Sequence, residues 1–145
     1  MLLRIYFGEL SKQSALFSHL YNAYRETVLK TLKREASGVL EDIVSDFAKN
    51  LSNPDYSPLS SFYHREYAVD YLRVLFKNRY QKTPSAYFTE LRISYAKSLL
   101  NLYGKKLKQY EIASLCGFTD PLYFSKTFKK IVGVSPTEYI QNTDR

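Results

Sequence analysis

Four of the five prolines in this chain stand directly after a Ser, Thr or Asp that can cap a helix: Ser57-Pro58, Thr83-Pro84, Asp120-Pro121 and Ser135-Pro136. A Ser, Thr or Asp oxygen accepts from a free N–H of the first turn, and a proline at the first helical position has no N–H to leave unsatisfied. Each pair therefore fixes where a helix begins. Ser135-Pro136-Thr137-Glu138 is also a capping box, with Glu138 placed to accept from the Ser135 N–H. Periodicity around these starts predicts helices over about 58–64, 69–78, 84–102, 108–116, 121–131 and 136–141. Upstream, Phe17, Leu20, Tyr21, Tyr24, Val28, Leu29 and Leu32 keep helical spacing over about 11–34. Ser37-Gly38 then interrupts, and Val39, Leu40, Ile43, Val44, Phe47 and Leu51 mark a second helix that Asn53-Pro54 ends. No stretch alternates with period two, so the fold class is all-α, with an N-terminal helical pair before the rest.

The chain repeats itself. A shift of 52 residues lays Tyr71 on Tyr123, Leu72 on Phe124, Phe76 on Phe128, Lys77 on Lys129, Thr83 on Ser135, Pro84 on Pro136 and Tyr87 on Tyr139. The second copy holds the sharpest local signal, Ile112 to Lys130. One short helix runs to about Cys116, Gly117 supplies a positive-φ corner, and Asp120-Pro121 starts another helix that ends in Lys129-Lys130. Two short helices on so tight a corner form a helix-turn-helix, whose second helix can enter the major groove of DNA. The first copy is a weaker unit of the same kind, over about 57–83 against about 108–131. The connector between them, about 84–102, is roughly 28 Å long at 1.5 Å per residue. Successive major grooves on one face of B-DNA lie roughly 34–36 Å apart, so such a connector suits a bipartite site.

Charge is placed to match. Residues 73–130 carry twelve Lys/Arg against Glu90, Glu111 and Asp120, and that segment holds the whole excess behind the net charge of +7. Basic charge packed into one segment is the footprint of a polyanion partner. The cluster Lys105-Lys106-Lys108 lacks a flanking ladder of aromatics, which argues against single-strand recognition.

Other chemistries find little support. His19 and His64 are the only histidines and neither has ligands at metal spacing. Asp42 and Asp46 read as a solvated helix face, and no phosphate loop or nucleophile elbow occurs among five glycines. The expectation is no enzyme, no cofactor and no metal. The single cysteine, Cys116, excludes an internal disulfide and reads as inert core. No stretch approaches the roughly 18 apolar residues of a membrane span, and residues 1–7 are too soon polar for a signal peptide, so the expected location is the cytoplasm.

Together these residues resemble the DNA-binding domain of the AraC/XylS family of bacterial transcription regulators. The carriers are Arg92-Ile93, Ala96-Lys97 and Leu99-Leu100 in the connector, Ile112-Ala113 and Cys116-Gly117-Phe118 in the second unit, Tyr123-Phe124-Ser125-Lys126 and Phe128-Lys129-Lys130 after it, and Gly133, Ser135-Pro136 and Tyr139 at the end. The resemblance covers about residues 41–141. It implies a DNA-binding domain over 41–145, double-stranded DNA and RNA polymerase as partners, and regulation of transcription, usually as an activator. Carried over by position, the second recognition helix presents Pro121, Leu122, Tyr123, Ser125 and Lys126 to DNA, with Lys129 and Lys130 near phosphate. The first presents Asp70, Tyr71, Arg73 and Val74, and the repeat adds Lys77. Arg73 is the candidate for guanine, because its fork meets O6 and N7 together.

The first unit departs from the family pattern. It lacks a small residue within Ser61 to Asp70, has no Ser/Thr-Pro start before its recognition helix, and is a residue or two short in the turn. Asp70 brings a negative charge toward phosphate unless it serves as N-cap. Residues 1–40 match nothing as specific. They suit a dimerisation element, through a stripe at Leu16, Leu20, Tyr24 and Leu32, or the remnant of an upstream sensor. The competing reading is a truncated interaction module that pairs with a full-length regulator through these helices.

Overall fold

The computed structural model describes residues 2–143, with side chains placed at 14–16, 18–31, 34 and 36–143. Among the described residues the chain forms α1 (Leu2–Lys49), a 3-10 turn (Pro58–Phe62), α2 (Val69–Tyr80), α3 (Pro84–Tyr103), α4 (Gln109–Leu115), α5 (Pro121–Val132) and α6 (Pro136–Thr143), and no strand. The chain divides into two compact units, Met1–Val39 and Leu40–Arg145.

The capping residues act as their chemistry requires. The Thr83 hydroxyl accepts from the Ala86 N–H at 3.2 Å and the Asp120 carboxylate from the Leu122 N–H at 2.8 Å. In the box that opens α6, the Ser135 N–H donates to Glu138 at 2.7 Å and the Glu138 N–H donates to the Ser135 hydroxyl at 3.2 Å. Hydrogen bonds to the carboxylate, first from the Ser135 N–H and then from the Ser135 side chain, hold the Glu138 carboxyl below its ordinary value. At the start of α4 the Lys108 N–H donates to Glu111 at 2.6 Å, half of a box that the sequence does not advertise.

Two expectations fail, and the N-cap alternative for Asp70 with them. The N-terminal pair is one helix: Ser37-Gly38 does not break α1, which runs on to Lys49. Glycine in a helix costs only about 1 kcal/mol, keeps its N–H for the ladder, and here has open space around it. The helix expected over 58–64 is a single 3-10 turn, and the chain then crosses to α2 with His64 in the left-handed region at φ 59°. Asp70 is not the N-cap of α2. That position falls to Ala68, which has no oxygen to offer, and Asp70 lies in the first turn.

The 52-residue repeat is a structural repeat. α2 and α5 have the same length and register, Leu72 and Phe76 are buried where Phe124 and Phe128 are, and α3 and α6 begin at Pro84 and Pro136. Even the ring contacts recur, Phe76 on Tyr87 at 5.4 Å and Phe128 on Tyr139 at 5.6 Å. Both α2 and α5 end in a left-handed residue, Gln81 at φ 57° and Gly133 at φ 95°.

α3 is the axis of Leu40–Arg145. The 3-10 turn, α2, α4, α5 and α6 all pack on it. One core gathers Ile93, Ala96, Leu99 and Leu100 of α3 with Ile112, Cys116, Phe124 and Phe128. On the other side Phe47 lies against Phe76, Phe88 and Tyr56, and Phe62 against Phe76. Rings bury more area than any aliphatic side chain, which is how so small a unit excludes water without tryptophan.

Candidate nucleic-acid interface

The interface is set by a joint. Arg92, midway along α3, donates from Nε to the Leu51 carbonyl at 3.1 Å and from Nη2 to the Asn53 carbonyl at 2.6 Å. Its guanidinium lies 4.5 Å from the centre of the Phe88 ring and 5.8 Å from that of Phe118. A Cβ added at Gly117 would come within 2.5 Å of the Leu51 carbonyl oxygen and 2.7 Å of Arg92 Nη2. Gly117 also holds φ 76°, so the corner of the second helix-turn-helix needs glycine for its backbone and for its neighbours alike. One half-buried cation thus ties the loop after α1, the connector and the second corner together. Burial lowers the Arg92 pKa, and the fork remains charged because its reference value is so high. Burial pushes the adjacent Cys116 thiol up to about 12, so it stays protonated and unreactive.

On this frame α2 and α5 turn polar and aromatic side chains to solvent. In α2, Asp70, Tyr71, Arg73, Val74 and Lys77 are exposed, while Leu72 and Phe76 point inward. Tyr71 leans on Tyr67, ring centres 6.0 Å apart. In α5, Pro121, Leu122, Tyr123, Lys126, Lys129 and Lys130 are exposed, and Leu122 is 73% exposed with no core to serve. Tyr123 leans on Phe118 at 6.1 Å.

Ser125 is different. It is half-buried, its hydroxyl donates to the Pro121 carbonyl at 3.0 Å, and it accepts from Gln109 Nε2 of α4. The bond from Gln109 pins α5 to α4, so Ser125 is engaged in holding the corner. Sequence reading missed Gln109, and no local signal could have found it, because its partner lies sixteen residues away.

α2 and α5 each border a groove at the same end of the connector. A groove of about 440 Å³ lies between α2 and Thr83-Pro84, lined by Asp70, Arg73, Val74 and Lys77. A second, of about 520 Å³, lies between α5 and Ser85, Ala86, Thr89 and Glu90, lined by Tyr123 and Lys126 among others. Both grooves thus open beside Thr83 to Glu90, at the start of α3, while the buried face of α5 packs farther along it, with Ile93, Ala96 and Leu99. Glu90 is the acid that lines the second groove, and its charge is met by Lys82.

Residues 55–142 match the family model described as a helix-turn-helix domain. The HTH-type transcriptional activator RhaR of Yersinia pseudotuberculosis is 33% identical over 87 residues, 59% of this chain and 29% of that protein. The chain thus spans less than a third of the length of that relative. Among solved structures, a transcriptional regulator with an AraC-type DNA-binding domain from Chromobacterium violaceum superposes with a TM-score of 0.66 at 26% identity, over 74% of this chain and 94% of that one. The DNA-binding domain of AdpA, solved in complex with a target DNA, shares the fold with a TM-score of 0.64 at 19% identity, over 71% of this chain and 90% of that one.

Proposed function

Because the chain belongs to the helix-turn-helix family, of AraC type, we propose that it is a sequence-specific DNA-binding transcription regulator. In this reading α2 and α5 enter adjacent major-groove segments of one duplex, and the regulator acts as an activator in contact with RNA polymerase in the cytoplasm. The observation that carries it is the repeat itself. Two helices in the same register present exposed polar and aromatic positions, on a segment that holds the chain's excess basic charge. That RhaR is an activator and that AdpA was solved with a target DNA support the same reading. Base contacts come from the exposed positions Tyr71, Arg73, Val74, Leu122, Tyr123 and Lys126, and phosphate contacts from Lys77, Lys129 and Lys130.

The test is a mobility shift on fragments selected from the source genome, at two salt concentrations and against competitor DNA. Lys126→Ala should weaken the selected site by roughly 5- to 100-fold and leave unrelated DNA almost unchanged. Lys129→Ala should weaken all sequences alike and flatten the salt slope by about one. Identical behaviour of the two variants overturns the roles given to α5.

α1 carries a second part of the proposal, a homodimer. Leu16, Leu20 and Tyr24, spaced along one helix face, are each more than half exposed. Leu32, the fourth member of that stripe, lies outside the described side chains. Leu20→Asp should convert a dimer to a monomer in sedimentation equilibrium, and a wild-type chain that sediments as a monomer at high micromolar concentration removes this part.

A further inference from the structure

We propose that Asp70 and Arg73 act as one reading unit for a single G·C base pair, Arg73 donating to the guanine and Asp70 accepting from the cytosine amino group. This rests on the proposed DNA binding of α2. Three observations lead to it. Asp70 is a carboxylate on the solvent side of a recognition helix, its side chain 94% exposed, and it neither caps the helix nor serves the core. It lies one turn from Arg73, with Oδ1 3.5 Å from Nη1, and the two border one open groove. An exposed pair at that distance stabilises a helix by only a few tenths of a kcal/mol, so helix stability gives a weak reason for its presence.

The chemistry fits one base pair and not the others. Across the major groove a G·C pair shows two acceptors on guanine, N7 and O6, and then one donor on cytosine, N4. Read along the same line, the exposed edge of α2 offers the two donors of the Arg73 fork and then the acceptor of Asp70. An A·T pair in either orientation alternates acceptor and donor, and a C·G pair reverses the order, so each leaves at least one group of the unit unpaired. Asp70 also repels phosphate, which weakens non-specific binding by this head while the specific contact repays it.

The repeat sharpens the assignment. In α5 the position of Asp70 is held by Leu122 and that of Arg73 by Ser125, whose hydroxyl is already engaged by Gln109 and the Pro121 carbonyl. The second head has no donor-donor-acceptor edge at that register. The target is therefore asymmetric, with the G·C requirement confined to the segment under α2.

The experiment uses the full chain and a library of randomised duplexes to define the preferred site. Four duplexes that differ only at the selected base pair under α2 then serve as probes, with wild type, Asp70→Ala and Arg73→Lys. Both positions are exposed, so the variants should keep the wild-type circular dichroism and melting curve to within a few degrees. Wild type should prefer the G·C duplex by roughly 10- to 100-fold. Arg73→Lys keeps the charge, loses the fork, and should abolish most of that preference. Asp70→Ala should reduce the preference roughly 10-fold while binding the other three duplexes as well as wild type or better. If Asp70→Ala raises binding to all four duplexes equally, the carboxylate is only a repulsive charge and the proposal is overturned. If Arg73→Lys leaves the preference intact, it is likewise overturned. A selected site with no G·C requirement under α2 also overturns it while leaving the proposed function standing, whereas a chain that selects no site at all removes that function itself.

Discussion

Replacing Arg92 with lysine tests how much of the molecule hangs on one joint. The arginine makes two charge-assisted bonds, to the carbonyls of Leu51 and Asn53, and stacks on Phe88. Each such bond contributes about 1.5–3 kcal/mol at its upper range, and the stack about 0.5–1 kcal/mol. Lysine keeps the charge and can satisfy one carbonyl, so Arg92→Lys loses one bond and the planar stack. Because the site is half-buried and water can reach the released carbonyl, the expected loss is about 2 kcal/mol. For a unit of this size that is a fall in Tm of roughly 8–16 °C, or roughly 1 M in the urea midpoint. Thermal and urea unfolding followed by circular dichroism measure it, with Lys106→Ala, an exposed lysine, as a control expected within about 0.5 kcal/mol. A variant that melts within about 2 °C of wild type would show that the carbonyls and rings do not depend on the guanidinium. The joint would then have to be held by the apolar core alone.

Gly117→Ala should be worse than Arg92→Lys in the same assay, since it strains a φ of 76° and drives a methyl into the Leu51 carbonyl and the Arg92 fork. At the paired helix ends, Gln81→Gly should stabilise by roughly 0.5 kcal/mol, the relief of a left-handed non-glycine residue less the lost bond from Gln81 to the Asn78 carbonyl. Gly133→Ala should destabilise by about 1 kcal/mol, and because its Cβ meets open space the cost is backbone strain alone. The Cys116 thiol should resist a disulfide reagent at mildly alkaline pH in the native chain and react fully once the chain is denatured. Glu138 has a lowered pKa, so its contribution is complete above the ordinary carboxylate value of about 4.3 and is lost as pH falls through the lowered one. Glu138→Ala should therefore lose less stability than wild type on acidification across that window.

What the amino-acid sequence determined by itself is what acts over a turn or two of chain. The cap-proline pairs placed the starts of the 3-10 turn, α3, α5 and α6, because a capping oxygen and a missing N–H operate within three residues of each other. The 52-residue repeat placed α2 on α5 and told buried from exposed positions, because a helix sorts its side chains by angle alone. The exposure of the candidate positions on α2 and α5 was legible for the same reason. Tertiary structure decided the rest. Whether Ser37-Gly38 breaks a helix, and whether 58–64 forms one, are balances of about 1 kcal/mol that packing overrides. Ser125 looked free on its own helix until Gln109 took its hydroxyl, and Arg92 looked like a mark of resemblance until carbonyls about forty residues away closed on it. Such partners meet only when helices dock, and no local pattern records where that docking brings them.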